Sequence, residues 1–358
     1  MSINQLYSTW FLRIRQLRPD ERVTRVRTFV WLMVGIHQSR SVHLSRIASK
    51  IPGRAVLLST ARRLSRWLDN PAVRVREWYR PIAKEVLEGM AASTGEVRLI
   101  ADGSRVGFGH QLLILSLAFR RRAIPLAWTW VNCPKGHSSA VKQLALLAYV
   151  RRLVPDGIPV LLVGDSEFGA MAVLEQLDAW EWRYVLRQRA SHGIRVEGQT
   201  VWQTFGSLVE SPGQSRWVER ALLTRRSAYL TNLLAYWETG EEDPWLLATN
   251  LPRKSEALRA YRRRMWIEEM FGDMKGHGFD LEKTHLRHFH RLSRLTLAVV
   301  LLYVWLVSVG TTSVKRGQRR LVDRNDRRDL SIFQIGLRFV DRCLTNALNV
   351  PLRLCPCP

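Results

Sequence analysis

The sequence predicts an α/β protein, a mixed β-sheet with flanking helices, held between two helical and strongly basic ends. Three observations lead there. The apolar period changes from helical to strand-like at Glu96 and returns to helical spacing from Lys254 onward. Two short apolar runs, 97–102 and 158–165, each finish on an aspartate. Charge gathers at the ends: residues 1–90 carry 17 basic and 6 acidic side chains and 281–358 carry 14 and 5, whereas 91–280 carry 24 and 20.

Composition narrows the class further. With 358 residues, two or three domains fit, and a hydrophobic fraction of 46% excludes general disorder. The formal charge of +24 comes from 47 Arg and only 8 Lys against 31 acidic residues, and it points to a polyanionic partner, nucleic acid first. The arginine preference suits bidentate phosphate contacts, although a GC-rich genome gives the same bias. Cys133, Cys343, Cys355 and Cys357 contain no C-x-x-C pair, so neither a disulfide scaffold nor a zinc finger is expected. They read as reduced thiols of a cytoplasmic protein. The first 23 residues lack the apolar core and cleavage site of a secretory signal. Leu295–Val309 is apolar except for Thr296 and Ser308, but a membrane span needs about 20 such residues. Arg291, Arg294 and Arg316 flank the run, so it reads as a helix buried in a soluble core rather than a membrane segment.

Element by element, residues 1–90 show three- and four-residue apolar spacing with interleaved arginines. Two short helical patterns break at Pro52-Gly53, as in a basic helix-turn-helix; a helical cap that merely packs on the middle domain is the alternative. VRLIAD (97–102) is a strand. HQLLILSLAF (110–119) and RAIPLAWTWV (122–131) form a hairpin about Arg120-Arg121, and a helix follows over 138–154. Pro155-Asp156-Gly157 turns the chain into the strand IPVLLVGD (158–165), then a helix over 169–180 and a strand over 182–189. Strand-strand-strand-helix-strand-helix-strand is the order of the ribonuclease-H-like fold. Residues 190–250 interrupt it with short apolar runs between Gly, Ser, Pro and acidic turns, a β-rich insertion. KSEALRAYRRRMWIEEMFGDMKG (254–276) returns to helix. The resulting division is a basic helical DNA-binding region at 1–92, a catalytic core at 93–190, the insertion at 191–252, the core's second part at 253–312 and a basic helical region at 313–358.

Asp102 and Asp165 end their strands at the rim of the sheet, where active sites are commonly built, though aspartate after a strand is also an ordinary turn former. On a continuous helix with 100° steps, Tyr261, Arg264, Glu268 and Lys275 share one stripe about 60° wide, beside the bare backbone of Gly272. Trp266, Ile267, Met270, Phe271 and Met274 lie mostly opposite, and Glu269 falls off the stripe. Phosphodiester chemistry needs divalent metal held by carboxylates, and Arg, Lys and Tyr to hold phosphates. The alternative for the stripe is a solvated face with ordinary i, i+3 and i, i+4 charge pairs.

The segment from Tyr261 to Lys275 fits Y-x2-R-x3-E-x6-K, and in this it resembles the DDE transposases of bacterial insertion sequences, in the family numbered four. LIADGS and LLVGDSEF resemble that family's two aspartate strands, and a β-rich insertion precedes its glutamate. The resemblance covers about residues 95–310. It implies a metal-binding catalytic triad of Asp102, Asp165 and Glu268, two Mg²⁺ or Mn²⁺ ions, and phosphate contacts by Tyr261, Arg264 and Lys275. It further implies cut-and-paste movement through a hairpin intermediate. Its DNA partners would be the terminal inverted repeats and target DNA, bound in a synaptic homodimer in the bacterial cytoplasm at the nucleoid. WLLATN (245–250) resembles a strand whose tryptophan stacks on a flipped base, although the gap from Trp245 to Tyr261 is shorter than in the best-studied members. Trp202, Trp217 and Trp237 are rivals for that role, and core packing is the alternative for all four. Two other functions remain on the same residues: a nuclease that hydrolyses without joining strands, and an inactive DNA-binding derivative. His285, His288 and His290 match no metal-ligand spacing and read as a polar or DNA-facing surface. His137 lies near the sheet rim, and 319–329 reads as a solvated mixed-charge stretch.

Overall fold

The computed structural model describes residues 2–133, 137–324, 326–350 and 352–356. Cys357, one of the thiols noted above, lies outside them. The chain forms two compact units, one from residues 1–93, 105–110 and 270–358, the other from 94–104 and 111–269.

The first unit is helical. It contains α1 (Ile3–Leu17), α2 (Val23–Ser39), α3 (Leu44–Ala48), α4 (Leu57–Asp69) and α5 (Val75–Thr94), and toward the other end of the chain Phe289–Lys315 and Ile332–Thr345, which become α10 and α11 in chain order. Helix α1 starts in a capping box: the Ser2 hydroxyl accepts from the Gln5 amide while the Gln5 side chain accepts from the Ser2 N–H. α10 contains the long apolar run. It is the one described helix long and apolar enough to cross a membrane, and 94% of its apolar window is buried inside the protein. Trp305 at its middle meets Trp10 edge-on at 5.3 Å. The arginines at its start bind protein groups: Arg294 donates to the Leu68 and Val73 carbonyls, and Arg291 to the Ser65 hydroxyl. α11 crosses α10 at two glycines, because a Cβ on Gly310 would strike the Ile332 carbonyl and one on Gly336 the Leu306 carbonyl.

His37 on α2 is fully buried, with Nε2 3.9 Å from Asp341 and its ring against Trp305. Burial first, and the Arg40 charge second, hold its pKa well below the ordinary value. Above the unfolded pKa of about 6.5 the ring is neutral in both states and stability is intact. As pH falls below that value only the unfolded chain takes the proton, so stability should drop by about 1.4 kcal/mol per pH unit. Urea unfolding between pH 7.5 and 5 is expected to show this slope, and His37→Leu to flatten it. An equal slope in both proteins would assign the acid sensitivity elsewhere.

The second unit is built on one sheet. Its elements are β1 (Val97–Val106), β2 (His110–Phe119), β3 (Arg122–Val131), α6 (Ala140–Arg151), β4 (Val160–Gly164), α7 (Met171–Ala179), β5 (Arg183–Arg187), β6 (Gly193–Val196), β7 (Gln203–Thr204), β8 (Ser215–Leu223), β9 (Tyr229–Tyr236), β10 (Trp245–Thr249) and α8 (Lys254–Tyr261). The strand order is β3-β2-β1-β4-β5-β10-β9-β8-β6-β7. β2 and β3 pair antiparallel through Arg120 and Arg121, both at positive φ, the backbone of a two-residue hairpin turn. β4 pairs parallel with β1 and with β5, and all five of its residues are buried, as strands covered on both faces require. Pro125 sits on edge strand β3, where a missing N–H is tolerated, beside a bulge. This mixed sheet, with three antiparallel strands followed by two parallel ones and helices between, is the ribonuclease-H-like arrangement anticipated from the element order. The insertion's strands continue the same sheet, because β10 pairs antiparallel with β5.

Candidate active site

Parallel register places the two aspartates side by side. Ala101 pairs with Gly164, so the next residues are Asp102 on β1 and Asp165 just past β4. β4 stops there and β1 runs on to Val106, which leaves Asp165 on a loop against a continuing strand. Each carboxylate is held by a nearby amide: Asp102 Oδ1 accepts from the Gly103 N–H at 2.7 Å, and Asp165 Oδ1 from the Glu167 N–H at 3.1 Å. Asp102 is buried, whereas Asp165 is half-buried.

The segment expected as one helix over 254–276 is not continuous. α8 ends at Tyr261, a 3-10 turn spans Arg262–Met265, and α9 runs from Trp266 to Met274. A 3-10 turn advances 120° per residue instead of 100°, so everything after it rotates relative to Tyr261. Three of the four stripe residues nonetheless meet. Arg264 donates to Asp102 Oδ2 at 3.0 Å and to Glu268 Oε1 at 2.7 Å, and its guanidinium lies 5.9 Å from the Tyr261 ring. One cation therefore ties the β1 carboxylate to the α9 carboxylate. Although burial pulls its pKa down, Tyr261, Asp102 and Glu268 together hold Arg264 above its ordinary value. Lys275 lies beyond the end of α9, in the helical unit, with its ammonium 6.0 Å from the Phe271 ring. Gly272 faces the His277 ring and offers no bare patch of backbone.

Tyr261 is buried, and its hydroxyl makes no hydrogen bond among the described residues. Burial pushes its pKa up to about 12; Arg264 and Arg187 oppose the rise and Asp165 and Asp102 add to it. The phenol therefore stays a neutral donor near both aspartates. Trp245, at the start of β10 and half-buried, meets the Tyr261 ring edge-on at 5.1 Å and the Tyr236 ring at 5.8 Å. Of its rivals, Trp202 stacks under Arg195, Trp217 donates to Glu219 and Trp237 to the Glu241 carbonyl. Glu269, the carboxylate next to Glu268, pairs with Arg122 at 3.0 Å.

Behind the aspartates lies a buried polar cluster that no sequence motif marks. Glu167, two residues after Asp165, accepts from Gln111 on β2 at 2.6 Å and from the Ser138 N–H at 3.0 Å. A glutamate inside the turn LLVGDSEF was the one available signal, and nothing local separated it from a solvated residue. Elsewhere, in the helical unit, Phe108 sits exposed at the β1–β2 hairpin tip under the Arg287 guanidinium at 4.8 Å. His285 packs edge-on to His43, while His288 stacks on His290, which contacts Asp69. His137 is exposed.

No group of three or more His, Cys, Asp or Glu among the described residues is arranged to hold a metal. The donors at the rim still suit a hard divalent cation, since carboxylate oxygens are its preferred ligands. Asp102 and Asp165 fit that role directly. Glu268, also a carboxylate, is paired with Arg264 at 2.7 Å.

The family model described as the transposase DDE domain matches residues 129–305, just under half of the chain. The match takes in Asp165, Trp245, Tyr261, Arg264, Glu268 and Lys275 and begins after Asp102. Among solved structures, the piggyBac transposase in a synaptic complex with hairpin DNA is similar, at 8% identity and a TM-score of 0.44 over 97% of this chain and 83% of that one. That likeness is too loose to bear on function. No match is found among curated proteins. The family model makes this a phosphodiester-processing enzyme, and its sheet is ribonuclease-H-like. The protein is a DNA transposase of the DDE class, a class whose chemistry depends on divalent metal.

Proposed function

We propose that this transposase binds the terminal inverted repeats of its own insertion element and moves it by cut-and-paste, with Asp102, Asp165 and Glu268 as the catalytic triad. The observation that carries this reading is that Asp102 on β1 and Asp165, the first residue past the neighbouring parallel strand β4, follow the paired Ala101 and Gly164, with Glu268 joined to Asp102 through Arg264. The three carboxylates would hold two Mg²⁺ or Mn²⁺ ions once Arg264 releases Glu268. Bound there, the metal would lower the cost of forming the attacking and leaving oxygens. Arg264 would then turn from the carboxylates to a phosphate of the cut strand, with the Tyr261 hydroxyl as a second donor and Lys275 as a further phosphate contact. Water attacks first and frees a 3′-hydroxyl, which then attacks the opposite strand, giving a hairpin, or the target. Trp245 would stack on a base extruded at the hairpin.

Membership of the insertion-sequence family numbered four rests on the Tyr261–Arg264–Glu268–Lys275 spacing. A synaptic homodimer in the bacterial nucleoid is the matching assembly. Duplex contact by the helical unit is supported by α4, whose Arg62, Arg63 and Arg66 are all exposed. The test is an assay with linear DNA carrying the element's own ends and a supercoiled target. Strand-transfer products that depend on Mg²⁺ or Mn²⁺ are expected. Hydrolysis that never joins strands would replace the transposase reading of the site with that of a nuclease.

A further inference from the structure

We propose that Glu167 and Gln111 form a buried spacer that fixes the separation of Asp102 and Asp165, and so act as positioning residues for the metal-binding pair. The inference rests on the reading of those two aspartates as metal ligands.

Glu167 and Gln111 are both buried, and their contact joins the loop after β4 to strand β2 across β1. Both Glu167 oxygens are engaged, one by the Gln111 amide and the other by the Ser138 N–H. Gln143, wholly buried on α6, donates to the Glu167 carbonyl at 2.7 Å and to the Ser138 carbonyl at 3.0 Å, which fixes the backbone of the same loop. Cys133 donates its S–H to Gln111 Oε1 at 3.4 Å. Burial, then the Glu167 charge, push this thiol up against the opposing pull of Lys142, so it remains a donor.

The cluster touches both aspartates through their immediate neighbours. Glu167 supplies the N–H that holds Asp165, and Gly103 supplies the one that holds Asp102. Gly103 also lies directly on the spacer: an added Cβ would collide with Gln111 Nε2 and stand 2.7 Å from Glu167 Oε2. Movement of the Glu167–Gln111 pair therefore shifts both N–H donors together. Partners behind metal ligands that orient them typically change metal affinity by about 10- to 100-fold when removed.

The experiment is a Mn²⁺ titration of the full-length protein by electron paramagnetic resonance, with thermal unfolding followed in parallel. Glu167→Gln places an amide N–H against the Gln111 donor or the Ser138 N–H, and is expected to weaken Mn²⁺ binding about 10-fold while the protein stays folded. Combining it with Gln111→Glu restores an acceptor opposite each donor, and affinity should return to within about 3-fold of wild type. Wild-type Mn²⁺ affinity in folded Glu167→Gln, or failure of the swap to recover affinity although it recovers the melting temperature, would overturn the spacer alone. Mn²⁺ binding unchanged by Asp165→Asn would instead overturn the ligand reading, and the spacer with it.

Discussion

Asp102→Asn, Asp165→Asn and Glu268→Gln are each expected to slow end cleavage by about 10⁴-fold, equivalent to about 5.5 kcal/mol of barrier, while leaving end binding nearly unchanged. These substitutions keep shape and remove charge, so they test the carboxylates as ligands and not as packing. For Asp102 the change also loosens Arg264, which donates to both Asp102 and Glu268. Duplex contact through the exposed arginines of α4, as proposed, would be untouched by these changes. Cleavage by gel assay at the wild-type rate in any one variant would remove that residue from the triad. Glu269 serves as the internal control: it is bound to Arg122, and Glu269→Gln should cleave normally.

Trp245→Ala is expected to separate two steps. Nicking of the transposon end should proceed near the wild-type rate, because it needs no distortion of the duplex. Hairpin formation should slow by about 10-fold or more, since a base stacked on an aromatic ring contributes roughly 1–3 kcal/mol. Nicked DNA should therefore accumulate. An abasic site at the flipped position should partly restore hairpin formation, because the cost of unstacking has gone. Edge contact with Tyr261 sets Trp245 beside the candidate site. Equal loss of nicking and hairpin formation would make it a packing residue. The same split in Trp202→Ala or Trp237→Ala, with Trp245→Ala unaffected, would move the role to another ring.

Much of this fold is legible in the sequence, because its strands announce themselves locally. β2, β3 and β4 are apolar runs bounded by Arg120-Arg121 or by Pro155-Asp156-Gly157, and the structure places them within two residues of the expected limits, whereas β1 starts at Val97 as expected but runs past Asp102 to Val106. What local pattern does not encode is pairing. Nothing in WLLAT says that it adds to the edge of β5, so the insertion's continuity with the main sheet emerges only in three dimensions. Ideal α geometry places Tyr261 to Lys275 on one stripe, and the 3-10 turn at Arg262–Met265 alters it. Tyr261, Arg264 and Glu268 still meet, because i, i+3 and i, i+4 neighbours stay close through so short a distortion. Arg264, for which the resemblance implies a phosphate contact, donates here to both carboxylates, a pairing that its spacing in the sequence does not encode for Asp102. Glu167 was invisible, since its partners Gln111 and Ser138 are remote in sequence and a lone glutamate in a turn has no periodic signature.

If Asp102, Asp165 and Glu268 gather around divalent metal, Fe²⁺-directed backbone cleavage should report it, because hydroxyl radicals formed at bound iron cut only the chain nearby. With Fe²⁺ and ascorbate added to the DNA-bound protein, cuts are expected beside residues 102, 165 and 264–268, competed away by excess Mg²⁺ and lost in Asp165→Asn. Cuts confined to other segments, or cuts at these three that persist in Asp165→Asn, would contradict it.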